Sequence, residues 1–167
     1  MQTFYYTDPG KVRSHNEDSV TIINNENKEF VLAIADGMGG HKNGEVASSI
    51  AIEHITNSFY NLETIGTKDD AIDWLRNIVK EINSQIFDYA DKHPESKGLG
   101  TTLVIAIKTE DYILYGNIGD SSGYVIKNGI LHKVTKDHTY VGMLVSNGKL
   151  SEENAKNHPV KNLLTLS

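Results

Sequence analysis

Short apolar runs broken by glycine, proline and polar clusters occupy the first third of the chain. Residues 3–7 and 19–24 are rich in aromatic and β-branched side chains and are separated by Pro9-Gly10, a pattern that predicts two strands. Phe30-Val31-Leu32-Ala33-Ile34-Ala35 is apolar without interruption and stops at Asp36-Gly37, which predicts a strand buried on both faces that delivers Asp36 to a loop. Beyond the glycines, Val46, Ala47, Ile50, Ala51, Ile55 and Phe59 recur at helical spacing. A second stripe, Ile72, Leu75, Val79, Ile82, Ile86 and Tyr89, is clearer still. Thr67 stands before it as an N-cap with Asp70 three residues on, and Lys92-His93-Pro94 closes it. Residues 101–108, 112–118 and 123–127 return to strand composition, and Asn128-Gly129 before residues 130–134 signals a hairpin. Ser151-Glu152-Glu153-Asn154 reads as the start of a further short helix. Strands, two helices, then strands, with no βαβ alternation, predict an antiparallel α+β fold.

The chain has 167 residues, 38% hydrophobic and 23% charged, which suits one globular domain spanning residues 1–167 and excludes a disordered or coiled-coil chain. A formal charge of −6 leaves no electrostatic footprint for nucleic acid or an anionic membrane. The absence of cysteine rules out disulfides, thiolate catalysis and Cys-ligated zinc. No apolar run approaches the ~20 residues of a membrane span, and the first residues lack the basic and apolar regions of a signal peptide. These features point to a cytoplasmic protein.

Three clusters could carry chemistry. The turn Asp8-Pro9-Gly10-Lys11-Val12-Arg13-Ser14-His15-Asn16-Glu17-Asp18 combines an arginine, whose planar fork matches phosphate oxygens, with two adjacent carboxylates suited to hard cations. Its plainer reading is a solvated turn with a surface ion pair. The second cluster, Asp36-Gly37-Met38-Gly39-Gly40-His41-Lys42-Asn43-Gly44-Glu45, lies between a buried strand and a helix, where a carboxylate, free carbonyls and unpaired helix N–H groups can meet. It fails as a nucleotide fingerprint: Lys42 stands where a third glycine would be needed, and Asn43 where a P-loop needs Ser or Thr. The third, Asn117-Ile118-Gly119-Asp120-Ser121-Ser122, again ends an apolar strand in an acid, which on its own is usually a turn former. Gly98-Leu99-Gly100-Thr101-Thr102 opens the strand before it.

Taken together, Asp8-x-Gly10-x-x-Arg13-x-x-Asn16-Glu17-Asp18, Asp36-Gly37-Met38-Gly39-Gly40-His41 with Gly44-Glu45, Gly100-Thr101-Thr102 and Gly119-Asp120-Ser121 resemble the bacterial branch of the metal-dependent protein phosphatases, the type-2C or PPM family, along nearly the whole chain. The resemblance implies a phosphoserine/phosphothreonine phosphatase built on a β-sandwich flanked by helices, with two Mn²⁺ or Mg²⁺ ions at one end. It implies that Asp36 bridges both ions, that Gly37 ligates one through its carbonyl, and that Glu17 and Asp18 reach the metal through water. It further implies that Arg13 grips the substrate phosphate and that Asp120 helps hold a third, weaker ion. Residues 141–157 resemble the flap beside the family's active site. Two cations roughly 3.5–4 Å apart can acidify a shared water and clamp phosphoryl oxygens, so no protein nucleophile is needed. His41 is placed either to protonate the leaving oxygen or to cap the following helix. His54, His93, His132, His138 and His158 fit no ligand pattern.

The chain departs from the family where two further aspartates, one in Ser-Asp-Gly and one before Asn, ligate metal. Its last aspartate is Asp137, with only Glu152 and Glu153 acidic beyond it, and Ser122 stands where the family carries arginine after Gly-Asp-Ser. Losing carboxylate ligands lowers metal affinity. The expectation is therefore a C-terminally incomplete phosphatase domain of impaired activity, or alternatively a phosphate- or metal-responsive module that binds proteins without hydrolysis. Its partners are expected to be phosphorylated proteins, substrates of a Ser/Thr kinase. Unpaired sheet edges further suggest self-association.

Overall fold

The computed structural model describes residues 1–39, 43–161 and 163–165. The chain order is β1 (Asp18–Asn24), β2 (Phe30–Met38), α1 (Asn43–Tyr60), α2 (Lys68–Lys92), β3 (Gly100–Thr101), β4 (Leu103–Lys108), β5 (Ile113–Ile118), β6 (Tyr124–Lys127), β7 (Ile130–Lys133), α3 (Tyr140–Ser146) and α4 (Glu152–Lys156). The pairing is antiparallel throughout, in the order β1-β2-β4-β5 with the short β3 added beside the end of β2, and β6-β7 form a separate hairpin. The α+β class with antiparallel sheets and flanking helices is the expected one. Among the described residues no helix is long and apolar enough to cross a membrane.

Strand alternation explains how the sheet takes its helices. Val31, Ala33 and Ala35 of β2 are at most 2% exposed and face α1, whose Ala47 and Ala51 are fully buried opposite them. Small side chains on both elements let the helix axis approach the sheet closely. Ile55 and Phe59, further along α1, fill the space against Ile105 and Ile107 of β4, and Phe59 meets Trp74 of α2 edge-on with centroids 6.0 Å apart. The alternate β2 residues face the other way, and Ile34 is 52% exposed. The expectation of a strand buried on both faces thus holds for one face only: α1 covers the odd-numbered side, and the even-numbered side borders a shallow recess shared with residues 4–7 and Gly123.

Residues 3–7 do not form a strand. Phe4 and Tyr6 are 86% and 76% exposed, and the Tyr6 hydroxyl donates to Asp8 Oδ2 at 3.0 Å instead of the backbone joining a ladder. Aromatic composition favours a pleated surface only when a partner edge is available. Two local signals are realised fully. Thr67 accepts from the Asp70 N–H while the Asp70 carboxylate accepts from the Thr67 N–H, a reciprocal capping box. Asn128 and Gly129 adopt positive φ of 53° and 77° between β6 and β7, as a twisted two-residue hairpin requires. The helix α3 carried no periodic signal; its start is set by Thr139, whose hydroxyl accepts from the Gly142 N–H at 2.9 Å.

A buried carboxylate ties two distant turns together. Glu29, 8% exposed, accepts from the Asn25 side-chain amide at 2.6 Å, the Ile65 N–H at 2.8 Å and the Thr64 hydroxyl at 3.0 Å. The β1–β2 turn is thereby bonded to the connection between α1 and α2. Glu29→Ala should cost on the order of 3 kcal/mol in denaturant unfolding, because it strands the buried Ile65 N–H and leaves the Asn25 amide only its bond to the Glu63 carbonyl. A loss of under about 0.5 kcal/mol, the range of ordinary surface substitutions, would show that water replaces the carboxylate.

Candidate metal and phosphate site

The site grows from the ends of β1 and β2. Asp18 is directly opposite Asp36 in the antiparallel register, so both side chains emerge on the same face of the sheet. Asn16 sets the approach: its side-chain carbonyl accepts from the Asp18 N–H at 3.0 Å while its amide donates to the Thr7 hydroxyl. The Asp8 carboxylate accepts from the Gly10 N–H at 2.7 Å, with Gly10 at φ +72°. Asp18, which the sequence pattern placed together with Arg13, is therefore held by a side-chain bond from within the turn itself.

The backbone of Asp36 is gripped from the far side. Its N–H donates to the Thr102 hydroxyl at 3.1 Å, and its carbonyl accepts from the Thr102 N–H at 2.9 Å and the Thr101 hydroxyl at 3.1 Å. Thr102 Oγ1 also lies 2.7 Å from Ser121 Oγ, and Gly119, at φ +89°, comes so near that a Cβ there would be 2.6 Å from Thr102 Cγ2. The segments Gly100-Thr101-Thr102 and Gly119-Asp120-Ser121 thus meet behind Asp36. Thr102 and Ser121 were part of recognised segments, but nothing in their spacing revealed that they position the carboxylate.

Gly37 and Gly44 explain the glycine-rich turn. The Gly37 N–H donates to the Glu17 carbonyl at 3.1 Å, and a Cβ on Gly37 would fall 1.9 Å from the Gly44 carbonyl oxygen in the first turn of α1. No other residue fits. A Cβ on Gly44 would in turn lie 2.9 Å from Glu17 Oε2. Ser48 completes the clasp by donating to the Glu17 carbonyl at 2.6 Å.

Adjacent positions on a strand point to opposite faces, and this separates Glu17 from Asp18. The Glu17 carboxylate sits on the α1 side, 3.1 Å from His15 Nε2 and 4.0 Å from Arg13 Nη1, with its side chain 12% exposed. Arg13 is 68% exposed at its side chain. Asp120 is exposed and acts on Asp36 through its charge. The carbonyl of Gly37 faces the first turn of α1. The structure therefore brings Asp18 and Asp36 together, places Asp120 within electrostatic reach, and holds Glu17 with Arg13 and His15 beside them. His41 lies outside the described residues. Of the remaining histidines, His54 bridges the helices, with Nε2 2.8 Å from Glu81 Oε2 and Nδ1 2.9 Å from the Gln85 amide.

Two carboxyls within hydrogen-bonding reach cannot both ionise freely. Partial burial, then the neighbouring Asp18 charge and its hydrogen bond, push the Asp36 carboxyl above its ordinary value; Arg13 opposes this and Asp120 adds to it. Asp36 remains open to solvent on one side. This crowding of oxygen donors is what a hard divalent cation relieves, and the donor chemistry fits Mn²⁺ or Mg²⁺. Among the described residues, however, no group of three or more His, Asp and Glu side chains converges as a ligand cluster. The pair fits an ion; the rest of its coordination does not come from converging side chains in the described residues.

The model of the family described as protein phosphatase 2C matches residues 11–158. The chain belongs to the protein phosphatase 2C family. This phosphatase-2C chain is 38% identical over 164 residues to the serine/threonine phosphatase stp of Listeria monocytogenes, covering 98% of itself and 65% of that protein. It is 37% identical to the serine/threonine protein phosphatase PstP of Mycobacterium tuberculosis over 158 residues, covering 95% of itself and 29% of that protein. The crystal structure of the Staphylococcus aureus serine/threonine phosphatase Stp1 superposes with a TM-score of 0.88 at 39% identity, over 96% of this chain and 63% of that one. The catalytic domain of PstP in complex with two manganese ions superposes with a TM-score of 0.75 at 34% identity, over 96% of this chain and 69% of that one. The chain thus spans a little under two thirds of the length of the Listeria relative.

The raised Asp36 carboxyl sets a sign for stability. A carboxyl whose pKa rises on folding destabilises the folded state wherever it is ionised, and the penalty disappears as pH falls below the unfolded value of 3.8. Asp36→Asn should therefore raise the thermal midpoint of the metal-free protein at neutral pH and change it little at pH values under 3.8. A lower midpoint for the variant at neutral pH would show that charge repulsion is not what the pair stores.

Proposed function

We infer that residues 1–167 form the major part of a single metal-dependent phosphoprotein phosphatase domain acting on phosphoserine and phosphothreonine. The observation that carries this reading is the Asp18–Asp36 pair, two carboxyls forced together at a strand end with Arg13 beside them. In the proposed assignment Asp36 and Asp18 hold divalent metal, joined by Glu17, the Gly37 carbonyl and, for a weaker third ion, Asp120. Two Mn²⁺ or Mg²⁺ ions, when bound, would supply charge neutralisation and an acidified water. The chain's own residues do the rest. Thr101 and Thr102 fix the Asp36 backbone, and so the strand end from which its carboxylate projects. Arg13, exposed and only 4.0 Å from Glu17, is held over the same strand end, where its fork can engage two phosphoryl oxygens. His41 is assigned the proton delivered to the departing serine or threonine oxygen.

Support for the reading comes from the stp and PstP relatives, which are named serine/threonine phosphatases, and from the PstP catalytic domain with its two manganese ions. The substrates would then be cytoplasmic proteins phosphorylated by a Ser/Thr kinase in bacterial signalling. One observation favours a second reading, a phosphate- or metal-responsive binding module with no turnover: no three ionisable side chains converge as ligands among the described residues. Impaired turnover in this chain is the intermediate case, as expected where carboxylate ligands are few. Self-association belongs to the same proposal, since β1 and β5 are the edges of the main sheet among the described residues.

Manganese-dependent hydrolysis of a phosphothreonine peptide by the chain decides between the readings. Turnover that rises with Mn²⁺ and is abolished by Asp36→Asn is expected; saturable Mn²⁺ binding without turnover would establish the binding module. Thr102→Val, which removes the hydroxyl behind Asp36, should weaken Mn²⁺ about 10–100-fold without unfolding the sheet. Sedimentation should show a concentration-dependent dimer, and a monomer at all concentrations would remove self-association.

A further inference from the structure

Two adjoining cavities run between α2 and the sheet, on the face opposite the Asp18–Asp36 pair, with volumes of about 380 and 400 Å³. Val79, Lys80, Leu103 and Ile118 line both, so the two form one trough. Its floor is made shallow-sided by small residues. Ala51, Ala90 and Gly98 contribute to the first cavity and Gly116 to the second, where a Cβ would touch Leu75 at 3.7 Å. The walls are aliphatic and aromatic, including Ile86 and the 62% exposed Phe87.

The charges along this trough are one-sided. Among the described residues Lys80 and Arg76 line it and no aspartate or glutamate does, in a chain of net charge −6. Arg76 is paired with Asp73 at 3.2 Å, whereas Lys80 has no hydrogen-bond or ion-pair partner among the described residues. An apolar trough of a few hundred Å³ with one or two placed polar groups has the form of a small-molecule site. An unpaired ammonium on its lip selects the sign of the ligand's polar end. We propose that the α2–sheet trough is a binding site for a small apolar carboxylate, its hydrocarbon part lying along Val79, Leu103 and Ile118 and its carboxylate paired with Lys80.

This proposal goes beyond the phosphatase reading and needs neither metal nor turnover. Decanoate, decanol and decyltrimethylammonium, each below its micellar concentration, are titrated into the chain by calorimetry and by amide chemical-shift mapping. Decanoate should saturate one site and shift the amides of Val79, Lys80, Leu103 and Ile118. Lys80→Glu should weaken it about tenfold, and Lys80→Gln roughly fivefold, as the loss of one partly desolvated charge contact predicts, with unchanged thermal midpoints. Lys80 is on the exposed side of α2, so both variants should fold. Equal affinity for decanol and decanoate, undiminished binding by both Lys80 variants, or shifts centred instead on Leu32 and Ile34 across the sheet would overturn the proposal.

Discussion

Carboxylates repel, and at the end of β1 the backbone register forces two of them face to face. The Asp18–Asp36 pairing is one rung of a ladder whose other rungs, from Ser19–Ala35 to Asn24–Phe30, are ordinary. The stability of those rungs, with the buried face of β2 against α1, holds the unfavourable rung closed. A site that stores repulsion in the absence of its counter-ion is prepared to bind one, because binding removes a penalty already incurred in folding. The surrounding hydrogen bonds follow from this need. Thr101 and Thr102 prevent Asp36 from relaxing its backbone, and Asn16 prevents Asp18 from doing so.

The glycines serve the same end by bringing elements closer than side chains would permit. Gly37 and Gly44 let the first turn of α1 rest on the end of β2, so that the helix clamps the strand that carries Asp36. Gly119 lets the loop carrying Asp120 close over Thr102.

The elements with local causes were legible in the sequence. The α2 stripe and its capping box, the Asn128-Gly129 hairpin and the buried face of β2 all follow from spacing and turn chemistry that act over a few residues. The candidate residues Arg13, Glu17, Asp18, Asp36 and Asp120 could be named, and the structure places all five around one strand end, linked by an ion pair or by charge. What was not legible depends on long-range contact. The open side of Ile34 could not be seen because an unbroken apolar run does not say how many faces are covered. The separation of Glu17 from Asp18 follows from strand phase, which becomes known only once the start of β1 is fixed. The Glu29 bonds join residues 36 apart and have no periodic signature.

Strand phase also divides the molecule's chemistry between two faces. Asp18, Asp36 and the half-open Ile34 lie on the side that α1 leaves uncovered, so the acidic pair is reached from that side. The α2 trough lies on the other side of the sheet, where Leu103 and Ile105 turn inward. An occupant of the trough could not block the acidic pair by contact. The shortest physical connection between them is β3: Thr101 borders the trough, and its hydroxyl donates to the carbonyl of Asp36. A two-residue strand bonded to the end of β2 is the part of the sheet with the fewest ladder bonds to resist displacement. The hydrogen-bonded link between the two faces thus ends on the backbone that positions Asp36, not on the side chains that would hold the metal.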